Sequence, residues 1–388
     1  MKLNSTLLVL LSAMLLSCQP KSVAPLQKEV DEITKQWLPD TRVGICKISL
    51  IPGNAEEIIV KGESSIPGAK AEVLQLLHKK GLTIIDSVTI LPDTTTIEKN
   101  WGLVTLSVVN LRSKPANSSE LVSQGIMGTP VRILKEDNGW YLIQTPDRYI
   151  SWTGESSLQP MNRAEITAWK NADRLLFTET YGTVFEDKNL TKVMSDLVAG
   201  CIVVKKGTDK LVTEVGLPDG RTGYIQGASL ADFKQWKEAA ALNSDKMILT
   251  GERFLGFPYL WGGTSSKAMD CSGFVKTVCF LNGMILERDA SQQARHGVEI
   301  DVASGWQNLQ KGDLLFFGSK QPYKVVHVGM YMGDSELINS SGSVRICSLD
   351  STKTDYSKHL ASTLVGARRI IGLTPEQGFI PVKMHNWY

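Results

Sequence analysis

The sequence predicts a multidomain α+β protein, and three observations carry that reading. At 388 residues the chain has room for roughly two to four domains, each able to bury its own core. Between Trp101 and Leu230 short β-rich runs recur at the spacing of small barrels. Further on, Phe274, Val275, Val278, Cys279 and Leu281 recur with a helical period, and residues 325–332 then alternate as a strand does.

Taken in order, Lys2 precedes an apolar run over residues 7–16 that is short for a bilayer span and ends in Leu15-Leu16-Ser17-Cys18. Residues 1–18 therefore read as a targeting segment. Its end resembles a bacterial lipobox, which implies lipid attachment at Cys18 and a membrane-anchored lipoprotein on the periplasmic or cell-surface side. An ordinary signal peptide cut nearby is the alternative, and it exports the chain as well. With Cys18 acylated, five of the six cysteines remain, an odd number that does not suit a disulfide framework. Residues 19–95 read as a tether and a small α+β unit. It has a short helix around 29–37, strands over 43–48, 56–60 and 82–90, and a helical patch over 68–80. Nothing in it carries chemistry.

Residues 98–160 are strand and turn throughout. The runs 108–115, 129–134 and 140–143, with Tyr149-Ile150-Ser151-Trp152, have the spacing of a small barrel. Residues 163–230 repeat the pattern more weakly, with Val203-Val204-Lys205, Val212-Thr213-Glu214-Val215 and Thr222-Gly223-Tyr224-Ile225 in matching places. A connection over 231–245, with a helix over 231–241, leads to a last domain, 246–388.

The formal net charge is +2 and no Lys/Arg run is present, so nucleic-acid binding has no electrostatic support. Neither a phosphate-cradling glycine loop nor His-Glu-x-x-His occurs, so no cofactor and no metal is expected. The chemistry concentrates in the last domain. Asp270 is a good N-cap and sets Cys271 at the first helical position, where the macrodipole and unsatisfied N–H groups favour thiolate and lower the thiol pKa. Of five histidines, His327 lies in the alternating strand, with Val326, Val328, Met330 and Met332 on one face and the imidazole beside Gly329 and Tyr331 on the other. Hairpin pairing with the next run, 335–339, brings Asn339 beside His327, where its carbonyl accepts an imidazole N–H and fixes the tautomer. Cys46, Cys201, Cys279 and Cys347 read as inert hydrophobes. His78, His296, His359 and His385 read as surface or loop residues.

Tyr259-Leu260-Trp261-Gly262-Gly263 ahead of Asp270-Cys271-Ser272-Gly273-Phe274, then Lys311-Gly312-Asp313-Leu314-Leu315-Phe316-Phe317 and His327-Val328-Gly329-Met330-Tyr331, together resemble the NlpC-type bacterial cell-wall cysteine endopeptidases. The resemblance runs over residues 246–371, where Ala367-Arg368-Arg369-Ile370 is similar to the family's closing strand. It implies a papain-like fold, a Cys-bearing helix on an antiparallel sheet bearing the His. Many members carry a second histidine where this chain has Asn339. The two barrels resemble bacterial SH3-like domains.

In three-part relatives with such barrels, the first barrel leans over the cleft and leaves room for a short stem peptide with a free N-terminus. By that resemblance Glu120 and Tyr149, with Asp270 and Ser272, bind the ammonium of an N-terminal L-Ala. Arg288 and Asp289 fall where the family has substrate-contacting residues, a structural ion pair being the alternative. The implied reaction is attack by Cys271 on the amide between the D-Glu side-chain carboxyl and a diamino acid, diaminopimelate or Lys. The Cys271 N–H and the Tyr259 hydroxyl stabilise the oxyanion, and His327 protonates the leaving amine. The product is L-Ala-D-Glu, released from murein tripeptide or tetrapeptide in peptidoglycan turnover or recycling, by a monomer. Two other readings stay open: another thiol amidase or acyltransferase of the wall, and a wall-binding lipoprotein with a vestigial catalytic domain.

Overall fold

A computed structural model describes residues 23–54, 57–303, 305–375 and 378–388. Residues 1–22, Cys18 among them, lie outside the described residues. The rest forms two compact units, one of residues 23–41 and 45–90, the other of residues 42–44 and 91–388.

In the first unit, Cys46–Pro52 pairs antiparallel with Glu57–Ser64, which pairs parallel with Thr83–Ile90. A parallel pair needs a crossover, and the helix Pro67–Lys79 supplies it. Together with the helix Ala24–Trp37, these elements bury Val30, Ile48, Leu50, Val60, Val73 and Leu77 in one core. Two boundaries differ from the sequence reading. The first helix begins at Ala24 because Pro25 in its first turn needs no N–H partner. The strand expected from Val43 begins at Cys46. Arg42 and Val43 instead give their carbonyls to the N–H of Ile150 and to Gln144 Nε2, at 2.8 and 3.1 Å.

The second unit begins with two seven-stranded barrels. In the first, strands from Trp101 to Met161 enclose Val104, Leu111, Val131, Ile133 and Ile143. In the second, strands from Arg174 to Asp232 enclose Phe177, Val184, Val203, Val215 and Ile225. Between them runs the helix Arg163–Asn171, started by an Asn162–Glu165 capping box. The connecting helix is shorter than the sequence suggested, Phe233–Ala239. Residues Leu230–Asp232 pair as a strand with Leu175, Leu176 and Phe177, and Asp232 then caps the helix.

The last part is a six-stranded antiparallel sheet ordered Val298–Ile300, Leu364–Arg369, Leu314–Lys320, Tyr323–Gly333, Glu336–Ser341, Ser343–Ser348. The segment containing Ala367 lies inside this sheet, between the first and third of these strands. The helix Cys271–Leu281 packs its Phe274, Val275, Val278 and Cys279 against Leu314, Phe316, Val328, Met330 and Ile338 on one face. Each such side chain contributes about 1.5–3 kcal/mol by leaving water. The other face buries Leu315, Phe317, Tyr331 and Leu337. Val326, expected on the helix side, is 57% exposed while Val325 is in the core. The register explains it: Phe317 pairs with His327 but Gly318 with Val325, so Val326 is the extra residue of a bulge.

Candidate active site

Asp270 has the extended backbone of an N-cap, and its Oδ1 accepts the N–H of Gly273 at 2.7 Å, so Cys271 occupies the first helical position. The turn before it is bound to the same carboxylate: the N–H of Gly262 donates to Asp270 Oδ2 at 2.9 Å. Gly262 has φ +82, and a Cβ there would stand 2.4 Å from the carbonyl oxygen of Leu121 in the first barrel. Only glycine allows that backbone and that approach.

Asp270 takes two further donors from Arg288, Nη1 at 3.1 Å on Oδ1 and Nη2 at 2.5 Å on Oδ2, and Arg288 Nη1 also reaches Ser272 Oγ at 2.9 Å. Ser272 Oγ in turn lies 3.3 Å from Asp270 Oδ1. Arg288 is 1% exposed. Asp270 and Ser272 are thus beside the sulfur as expected, but an ammonium reaching them would share them with Arg288. The ion pair allowed between Arg288 and Asp289 is built differently, Arg288 with Asp270 and Asp289 with Arg42.

The thiol pKa departs from the sequence expectation. Burial, and then the Asp270 carboxylate, push Cys271 up to about 11, against the N–H groups of Val328 and Ser272 and the Arg288 charge that favour thiolate. Enclosure outweighs the helix start. The Val328 N–H on the sulfur brings the strand that carries His327 against Cys271. The imidazole Nε2 faces Asn339 Oδ1 at 3.2 Å. Asn339 is fully buried, and its Nδ2 donates to Cys347 Sγ at 3.4 Å, which orients the amide. With Nε2–H donated to that carbonyl, Nδ1 is left as the base. Burial lowers the His327 pKa from its ordinary value, and the Asn339 bond opposes it. Burial thus disfavours the charged form of both the sulfur and the imidazole. A Cβ on Gly329 would meet Leu337 Cδ1 at 2.8 Å and Asn339 Cβ at 3.1 Å, so glycine there lets the Asn339 strand lie close. Tyr259, in the field of Cys271 and Asp270, is held by burial and those charges at about 12, and so remains a protonated donor.

The first barrel reaches this site along two segments. On one, Glu120 Oε1 accepts Trp261 Nε1 at 2.9 Å, and Gln124 Oε1 accepts the N–H of Thr264 at 3.0 Å and Ser265 Oγ at 3.1 Å. On the other, Asp147 pairs with Lys276 of the Cys271 helix at 3.1 Å and Arg148 with buried Glu287 at 3.1 Å. Between these ion pairs and Asp289, Tyr149 is 8% exposed and its phenol is held far above the ordinary range by burial and the Asp289 charge. Glu287 also holds His296, Nε2 to Oε2 at 2.9 Å, and His385 Nε2 meets the carbonyl of Pro146 at 3.1 Å; both lie in loop segments, as read from the sequence, with half-buried rings.

Arg42 was not among the residues singled out in the sequence. Its Nη1 donates to Asp289 Oδ2 at 2.8 Å and to Ser291 Oγ at 2.9 Å. It lies 247 residues before Asp289, just ahead of a run that reads as strand, and no local pattern signals the pairing.

Comparison with known proteins adds the following. The NlpC/P60 family model matches residues 256–368, and the bacterial SH3 domain model matches residues 107–159. The gamma-D-glutamyl-L-lysine dipeptidyl-peptidase of Bacillus cereus (strain ATCC 10987 / NRS 248) is 28% identical over 233 residues, 58% of this chain and 68% of that protein. A probable endopeptidase NlpC homolog of Haemophilus influenzae is 31% identical over 157 residues, 39% of this chain and 74% of that protein. A crystal structure of an NlpC/P60 family protein from Bacillus cereus ATCC 10987 superposes with a TM-score of 0.60 at 24% identity, covering 70% of this chain and 99% of the other, and so shares its fold.

Proposed function

We propose, for a chain that belongs to the NlpC/P60 family and is a cysteine peptidase, hydrolysis of the amide between the γ-carboxyl of D-Glu and the following diamino acid in stem peptides with a free N-terminal L-Ala. The observation that carries this reading is the seating of the first barrel on the turn before the nucleophile. Glu120 is bonded to Trp261, the Leu121 carbonyl rests on Gly262, and Tyr149 lies beside Asp289. Carboxylates and a phenol at a fixed offset from a sulfur suit an ammonium on the residue just before the one that bears the attacked carbonyl. The γ-D-glutamyl-L-lysine specificity named for the Bacillus cereus relative supports the same substrate class.

In the reaction, His327 Nδ1 takes the Cys271 proton as Sγ attacks the γ-carbonyl carbon, since burial disfavours the charged forms of both groups before attack. The oxyanion is met by the Cys271 N–H and the Tyr259 hydroxyl. The imidazolium, held in orientation by Asn339, gives its proton to the departing amine as the C–N bond breaks. A water then loses a proton to the same imidazole and splits the thioester, releasing L-Ala-D-Glu and restoring the thiol.

The test is to incubate the protein with L-Ala-γ-D-Glu-L-Lys, its diaminopimelate counterpart and their N-acetylated forms, and to follow products by mass. Cleavage after D-Glu only with a free amine is expected; equal cleavage of blocked peptides refutes the role given to Glu120 and Tyr149. Lipid attachment at Cys18, membrane anchoring and action as a monomer are part of the same proposal. They are checked by fatty-acid labelling that Cys18→Ala abolishes and by light scattering of the protein lacking residues 1–18. Unchanged labelling in that variant rejects the anchor.

A further inference from the structure

The reaction proposed above leaves the departing end of its substrate without a partner. The nitrogen that departs is the α-amine of the diamino acid, and in a tripeptide the same Cα carries a free carboxylate, its carbon about 2.5 Å from that nitrogen. The imidazole that protonates the amine therefore works beside a negative charge. Glu120, Asp270 and Asp289 repel such a group. Arg288 is 1% exposed and engaged by Asp270 and Ser272, and Arg42 is held by Asp289 and Ser291.

A third guanidinium stands beside the imidazole. Arg345 lies on the strand Ser343–Ser348, directly opposite Asn339 in the antiparallel register. Residues so paired are about 5 Å apart and point to the same face. Arg345 therefore shares the face on which Asn339 meets His327 Nε2 at 3.2 Å and Cys347 Sγ at 3.4 Å. Asn339 is fully buried, whereas Arg345 is exposed. Its positive charge reaches the imidazole, together with that of His359 from the helix Lys358–Thr363. Among the described residues, no side-chain hydrogen bond or ion pair engages the Arg345 guanidinium, Asp355 near Cys347 included. The sheet order sets the direction of a bound peptide. Ser291 and Ala294, just past Asp289, line a groove with Val325 of the His327 strand and with Phe316 and Ala367 of the strands to one side of it. Arg345 is two strands away on the other side. Tyr149 and Asp289 take the L-Ala end in the reading above, so Arg345 stands where the amine departs.

We propose that Arg345 is a specificity-determining residue whose guanidinium binds the free α-carboxylate of the departing diamino acid. A planar fork of N–H donors matches a carboxylate, and holding that group also holds the attached nitrogen against His327 Nδ1. A stem that ends at the diamino acid is thereby preferred to one in which the same carboxyl is already an amide. The inference rests on the γ-D-glutamyl reading above.

The experiment compares kcat/KM of the full chain for L-Ala-γ-D-Glu-L-Lys and for the same peptide with its C-terminal lysine carboxylate converted to a carboxamide. Wild type is expected to prefer the carboxylate by about tenfold, the worth of a hydrogen bond to a charged group. Arg345→Gln brings the ratio of the two to about one, and Arg345→Lys falls between. That ratio does not depend on how much of a variant is correctly folded. Lys358→Gln, which removes another exposed cation beside His359, keeps the preference. No preference in wild type, an equal loss on both peptides in Arg345→Gln, inactivity of that variant on both, or loss of preference in Lys358→Gln overturns the assignment. Failure of wild type to cleave either peptide sinks the γ-D-glutamyl reading instead.

Discussion

Replacing Arg288 with Met takes the counter-charge from a carboxylate that has little access to water. Asp270 is 5% exposed and Arg288 1%, and the pair is bidentate at 3.1 and 2.5 Å. Removing one side of such a pair costs about 3–5 kcal/mol. Asp270 keeps the N–H groups of Gly262 and Gly273, which bear part of its charge, so the expected loss lies at the low end, about 3 kcal/mol. With urea slopes of about 1–3 kcal/mol per molar, the unfolding midpoint of the Cys271 domain falls by about 1–3 M. The double variant Arg288→Met with Asp270→Asn keeps a capping side chain and removes the stranded charge, and recovers most of the loss. The thiol reports the same change. An uncompensated Asp270 pushes Cys271 further up from about 11, so alkylation at pH 8 slows in the single variant and recovers in the double. A single variant within about 1 kcal/mol of wild type, or a double variant no better than the single, refutes the reasoning.

Three other perturbations test separate parts of the site. In Asn339→Ala the imidazole loses the bond that favours its charged form, so its pKa, already lowered by burial, falls further; the acid limb of kcat/KM moves to lower pH while kcat drops by about 10²-fold, and a limb that moves upward contradicts the assignment. Gly329→Ala places a methyl 2.8 Å from Leu337 Cδ1 and should cost about 1–3 kcal/mol in a melting experiment together with activity; a variant as stable and active as wild type shows that the strands are not so closely set. Glu120→Gln keeps an acceptor for Trp261 but removes the charge, so KM for the free-amine peptide rises about tenfold, whereas an unchanged KM removes Glu120 from the ammonium site.

What the sequence made legible here is local in the chain. Asp270 as cap and Cys271 as first helical residue follow from four adjacent positions, and Asn339 reaches His327 because a tight hairpin joins their strands. Val326 was misplaced because its side is set by a bulge opposite Phe317 and Gly318, which no alternation within its own strand reveals. The thiol pKa was misjudged because the helix start is a local property, whereas burial of Cys271 and the facing Asp270 charge are made by the whole domain. Arg288 was placed near the site, but its engagement with Asp270 depends on a contact 18 residues away, and Arg42 depends on one across 247.

The central claim is that Cys271 forms a thioester with the L-Ala-D-Glu part of the peptide. Acid quenching within the first turnovers with L-Ala-γ-D-Glu-L-Lys, followed by intact mass and peptide mapping, should find the dipeptidyl acyl group on Cys271 and none on Cys271→Ala. Turnover by Cys271→Ala, or an acyl group mapped to any other residue, contradicts it.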